Sequence, residues 1–184
     1  MRTTTDAIAT EFRRYQALGE AAIAQLDDES LTARLAPDGN SIAILVWHIS
    51  GNLRSRFSDF LTADGEKPWR DRDEEFADRR VTKEELLARW ASGWETLYGA
   101  LAEVDDTKFA ENVAIRGVPL RVDEALFRAV AHISYHIGQL VLIAKTLKSG
   151  TWKYLSIPPG QSKTYNAAPT REKADAQIEA LRKR

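Results

Sequence analysis

Four stretches of this chain repeat apolar residues at steps of three and four, a period that only α-helices with one apolar stripe each satisfy. In residues 5–27 the stripe is Ile8, Phe12, Tyr15, Leu18, Ala22 and Leu26. In residues 41–63 it is Ile42, Val46, Ile49, Leu53, Phe57 and Phe60. A third helix carries Leu86, Trp90, Trp94, Leu97, Leu101 and Val104; a fourth, over residues 123–148, carries Leu126, Val130, Ile133, Ile137, Leu140, Ala144 and Leu147. Such stripes must be removed from water, and four of them bury each other in a helix bundle. The expected fold is all-α, a single domain over residues 1–184, a length that suits one core.

Capping residues and breakers punctuate the pattern. Residues 27–40, with Pro37, Gly39 and Asn40, read as a connection, after which Asn40 or Ser41 caps the second helix. Thr82 with Glu85 forms a capping box that starts the third, and Gly150 terminates the fourth. Residues 109–120, with Gly117 and Pro119, are expected as a short extended excursion. Thr170 is expected to cap a short C-terminal helix bearing Ala174, Ile178 and Leu181. The charged link over residues 64–81 reaches roughly 59 Å when extended at about 3.3 Å per residue. A 23-residue helix is only about 34 Å long, so this link is long enough to cross the whole bundle between helices two and three.

Composition narrows the chemistry. The chain has no cysteine, which removes disulfides, thiolate zinc sites and a cysteine nucleophile. Its 26 basic and 27 acidic residues leave a formal charge of −1, without the basic footprint of a nucleic-acid or membrane-surface binder. No stretch is expected to approach the roughly 20 apolar residues needed to cross a bilayer. The first residues lack the apolar run of a secretory signal, and a cytoplasmic protein is the expectation.

The chain's only three histidines all fall in predicted bundle helices. His132 and His136 stand at i and i+4 of the fourth helix, so both imidazoles leave one face a turn apart. Ala125 and Ala129 on the same row leave room for the rings, and Gln139 continues the face. A third ligand must come from another helix, where His48 is the remaining candidate. Neutral imidazoles suit zinc, nickel, copper or iron, and three protein ligands with open positions describe a reactive site. The other reading is three hydrogen-bonded core histidines with no ion, and the spacing leaves both open.

Around them, Asn52 lies one turn after His48 and is a candidate to orient a ligand, with Gln139 and Tyr135 less distinct. Arg54, Arg56 and Arg128 are candidates for binding an anionic thiol or carboxylate, though solvated helix-face arginines are the commoner case. No carboxylate is evidently placed as a general base, since Asp123 and Glu124 lie more than a turn before His132. A di-iron carboxylate bundle needs Glu-x-x-His motifs, but residues 45, 129 and 133 are leucine, alanine and isoleucine, which rules it out. Three functions stay open: transfer to a metal-activated external thiol, metal-dependent hydrolysis, and a non-catalytic metal-binding or structural role. An open coordination position beside a pocket would separate the first two from the third.

The strings WHISGNL at residues 47–53 and AHISYHIGQLVLI at residues 131–143 resemble the DinB-like (YfiT-like) superfamily of proposed metalloenzymes. The string LSIPPGQSKTYN at residues 155–166 looks like one of its bacterial subfamilies with no assigned reaction. The resemblance spans nearly the whole chain and implies a bundle with a long crossover between helices two and three. It implies one divalent ion, often nickel or zinc, on His48, His132 and His136, and a homodimer. Relatives include transferases that use low-molecular-weight thiols, so the implied partner is a small-molecule substrate. The loop over residues 155–166, stiffened by two prolines, is expected to cover a site or a dimer face. Trp47, Trp69 and Trp152 are left as candidate interface or pocket aromatics.

Overall fold

The computed structural model of the protein describes residues 3–183. Among them are seven α-helices and one two-stranded sheet. The four long stripes correspond to α1 (Thr4–Ile23), α3 (Ile42–Phe57), α4 (Lys83–Ala102) and α5 (Val122–Leu147). Between α1 and α3 lies a short helix, α2 (Asp28–Thr32), in the stretch expected as plain connection. Asp27 starts it by accepting from the Ser30 amide, and Leu31 anchors it with no exposure.

The second and third long helices start where their caps predict. The Ser41 hydroxyl, rather than Asn40, accepts from the Ile44 amide at 3.2 Å, and Thr82 and Glu85 form the reciprocal capping box. The ends differ more. The second helix was expected to reach residue 63, yet α3 stops at Phe57: Ser58 is extended and Asp59 sits at a φ of 49°. Phe60 remains buried, so the apolar period continues through a turn that is no longer helical. Gly150 ends α5 at a φ of 82° as expected. The extended excursion is a hairpin, β1 (Asn112–Ile115) against β2 (Val118–Arg121), with Val113 opposite Leu120. Its turn, Arg116–Gly117, has φ of 57° and 72°, the left-handed pair that tight hairpins require.

α1 packs chiefly on α5, and α3 chiefly on α4; α3 also meets α5, and α1 meets α4. The core runs through all four, with Trp90 and Trp94 of α4 and Phe12 of α1 almost wholly buried. Phe12 meets Phe57 and Trp94 edge-on, at centroid distances of 6.5 and 6.4 Å. The α3–α4 contact is close enough to demand a small residue: a Cβ on Gly93 would lie 2.8 Å from the Ser50 Cα. By length and composition alone α5 is apolar enough to cross a membrane, a property the sequence reading did not single out. In this fold α5 packs on α1 and α3 along one side, while Phe127, Tyr135 and Leu142 of α5 stay exposed.

Past α5 the chain folds back. Gln25 and Lys153 exchange hydrogen bonds of 3.1 and 2.8 Å, and α6 (Ser162–Ala167) follows. The last helix, α7 (Ala174–Arg182), packs on α1 and begins three residues later than the Thr170 cap predicted. The Tyr165 hydroxyl accepts from the Thr170 and Arg171 amides and holds that stretch in a turn.

Candidate metal centre

His48 projects from the middle of α3, and His132 and His136 from successive turns of α5. The α3–α5 contact brings the three rings together. The Nε2 of His132 lies 3.2 Å from that of His48 and 3.1 Å from that of His136. All three donor atoms lie within 4.8 Å of one another. His48 and His136 are buried and His132 partly so. Two imidazole nitrogens on one ion at about 2.0–2.1 Å stand roughly 2.9 Å apart at octahedral angles and about 3.4 Å apart at tetrahedral ones. Both spacings to His132 fall between these limits.

Protonation decides what such a cluster is for. Glu75 Oε2 lies 2.9 Å from His48 Nδ1, and a carboxylate can only accept, so that nitrogen carries the proton. Gln139 Oε1, 2.9 Å from His136 Nδ1, sets the same tautomer there. Both Nε2 atoms are therefore bare lone pairs. His132 Nδ1 is buried with no partner. If the His132 proton sits on Nδ1, three lone pairs face one another; if on Nε2, it serves only one neighbour and leaves its own Nδ1 unsatisfied. Either arrangement leaves buried polar groups uncompensated, at about 1–3 kcal/mol each. A divalent cation among the Nε2 atoms would satisfy all three lone pairs. Protons do not take that place: burial, with the charges of His136 and His48, pushes His132 down to about 3, and burial also lowers His136.

Glu75 is the residue that sequence reasoning missed. It lies in a single 3-10 turn, Glu74–Phe76, within the charged link, and is 4% exposed. Burial alone would raise its carboxyl. The hydrogen bonds from His48 and Arg70, with the Arg70 charge, outweigh burial and hold it below the ordinary carboxylate range. Arg70 donates from Nε at 2.8 Å to one oxygen and from Nη2 at 2.9 Å to the other. Carboxylate, imidazole and Nε2 form the relay by which metal-binding histidines are aimed. Phe76 closes over the His48 ring at a centroid distance of 4.8 Å. The one sequence signal was Gly51, a helix-interior glycine one turn from His48. A Cβ there would sit 2.0 Å from Glu75 Oε1, so the glycine is what lets the carboxylate lie against α3.

The histidines open onto a cavity of about 480 Å³. Asn52, Gln139 and Tyr135 all line it, with Asn52 half-buried and Tyr135 62% exposed with its ring against His136 at 4.8 Å. The hairpin forms another wall, held there by the link: Asp64 accepts from the Arg116 and Gly117 amides at 2.8 and 2.6 Å. Of the three arginine candidates, Arg56 and Arg128 line the cavity, while Arg54 stacks over Trp69 outside it. Trp47, Trp69 and Trp152, expected at an interface or a pocket, do not line it, nor does the loop over residues 155–166, expected to cover a site or a dimer face. Trp47 lies under the guanidinium of Arg79 at 4.6 Å instead.

A family model described as "Protein of unknown function (DUF1572)" matches residues 2–161, the span that contains α1 to α5 and all three histidines. No curated protein matches the chain.

Proposed function

The chain belongs to the DUF1572 family of proteins of unknown function, and from its three converging imidazoles we propose that it is a divalent-metal protein acting on a small molecule. The observation that carries this is the set of three imidazoles with donor atoms within 4.8 Å of one another, two of them with Nε2 left free by Glu75 and Gln139. Zinc or nickel suits an all-imidazole donor set. The DinB-like kinship seen in the sequence supports the same ligands. Bound there, the ion supplies a Lewis acid that generates a nucleophile from water or an external thiol at neutral pH. The chain's own residues do the rest: Glu75 and Gln139 aim two ligands, Phe76 shields His48, and Asn52 faces the incoming molecule.

A reactive role is favoured over a structural one because the donors border a cavity, and among the described residues the donor group stops at three. The absence of cysteine fits a nucleophile supplied from outside, and an external low-molecular-weight thiol makes the protein an S-transferase. A homodimer working in the cytoplasm belongs to this proposal through the kinship alone. The test is elemental analysis of tag-free protein dialysed against a weak chelator, beside the His132→Ala variant. About one zinc or nickel per chain is expected in the parent and none in the folded variant. A parent that holds no ion, and takes up neither zinc nor nickel, would sink the proposal.

A further inference from the structure

We propose that the molecule this cavity receives is an organic anion with an apolar body, its carboxylate or phosphate held by Arg128 at the rim. The inference rests on the metal-site reading for the position of the reacting end, and on the cavity's own charges for the rest. Five arginines line the cavity: Arg56, Arg70, Arg72, Arg116 and Arg128. No aspartate or glutamate lines it, in a chain whose total charge is −1. That asymmetry belongs to the cavity and not to the composition.

Three of the five are already engaged. Arg56 donates to the Gly65 carbonyl and pairs with Glu66 at 3.3 Å; Arg116 pairs with the same Glu66 at 2.9 Å; Arg70 is bidentate on Glu75. Two remain. Arg72 has its guanidinium 5.0 Å from the Phe76 ring centre and no ion pair among the described residues. Arg128 has no ion pair among the described residues and stands at i−4 from His132, on the same face of α5.

The geometry sets the size of the ligand. Arg128 and His132 are one helical turn apart on α5, with Cβ atoms about 5–6 Å apart, so one small molecule can reach both. Between those ends the wall is apolar, formed by Phe57, Phe60, Val113 and Ile115. A cavity of about 480 Å³ is in the range of small-molecule sites, not of peptide grooves. A wholly polar ligand would waste the phenylalanine wall, whereas an anion also pairs with Arg128 and Arg72, both exposed and without an ion pair among the described residues.

The experiment is calorimetric titration of the protein as purified, with metal content determined on the same samples. Three probes of similar size are used: hexanoate, butyl phosphate and uncharged hexanamide. At least one anion is expected to bind roughly tenfold or more tighter than hexanamide, the usual worth of a charge-assisted bidentate contact. Which anion wins identifies carboxylate or phosphate as the natural group. Arg128→Gln should remove most of the advantage while metal content and the circular dichroism spectrum stay as in the parent. Arg128→Lys should restore part of it. Equal binding of all three probes, no binding of any at millimolar concentration, or an anion preference untouched by Arg128→Gln together with Arg72→Gln would overturn the proposal. A parent that holds no ion and takes up neither zinc nor nickel, yet still shows an Arg128-dependent preference, would sink the metal reading and leave this one standing.

Discussion

The contact between Gly51 and Glu75 permits a prediction whose sign runs against helix propensity. Gly51 lies inside α3, where glycine to alanine ordinarily stabilises by about 1 kcal/mol. Here the new Cβ would lie 2.0 Å from Glu75 Oε1, 2.6 Å from Cδ and 3.3 Å from Cγ. The whole carboxylate end must withdraw to ordinary contact at 3.4 Å or more. Its hydrogen bonds to His48 and Arg70, now 2.8–2.9 Å, would then pass the length at which they count. Glu75 and Arg70 side chains are 5% and 2% exposed, so water does not replace what is lost. Breaking a buried pair costs about 3–5 kcal/mol, and the propensity gain offsets about 1, leaving Gly51→Ala destabilised by about 2–4 kcal/mol. Urea denaturation in excess chelator isolates this from metal linkage, and the midpoint should fall with an unchanged slope. Gly138→Ala, in α5 with nothing within 4 Å of the new atom, is the control and should be stabilised by up to about 1 kcal/mol. With metal restored, affinity in Gly51→Ala should fall about 10–100-fold because His48 is no longer aimed. A Gly51→Ala protein as stable as the parent would refute the placement of Glu75, and with it the argument for the His48 tautomer.

Two other predictions concern parts of the fold away from the site. Asp106 accepts from the Thr4 and Thr5 amides and the Thr5 hydroxyl at the start of α1, and these bonds lower its pKa to about 2. A carboxylate with a depressed folded pKa stabilises above its unfolded value, and that contribution is lost as pH falls from about 4 toward 2. The melting temperature of Asp106→Asn, followed against pH, should therefore sit below the parent's at pH 7 and converge with it near pH 2; parallel curves would contradict the assignment. Phe12→Ala removes a ring with no exposure from between Phe57 and Trp94 and should cost about 3–5 kcal/mol in denaturant. A loss below about 1 kcal/mol would mean that the core closes over the gap.

Periodicity placed α1, α3, α4 and α5 because a helix in a bundle buries one face along its whole length, and that constraint is written at every third or fourth residue. The same local rule put His132 beside His136, since i and i+4 are neighbours whatever surrounds the helix. Caps were legible where a side chain answers its own backbone, as at Ser41 and Thr82. They were misplaced where a distant group intervened, as where Tyr165 holds residues 170–171 out of α7. His48 was nominated by elimination, but only the packing of α3 on α5 brought its Nε2 to 3.2 Å from His132. Glu75 was beyond reach. It stands alone in an aperiodic charged link, 27 residues from the ring it serves, and a single buried carboxylate leaves no period to read. The arginines of the cavity are likewise spread over α3, the link, the hairpin and α5, and nothing along the chain distinguishes them from solvated charge. Local hydrogen bonding and burial periodicity determine the helices from sequence; charge convergence across elements exists only once the tertiary contacts have formed.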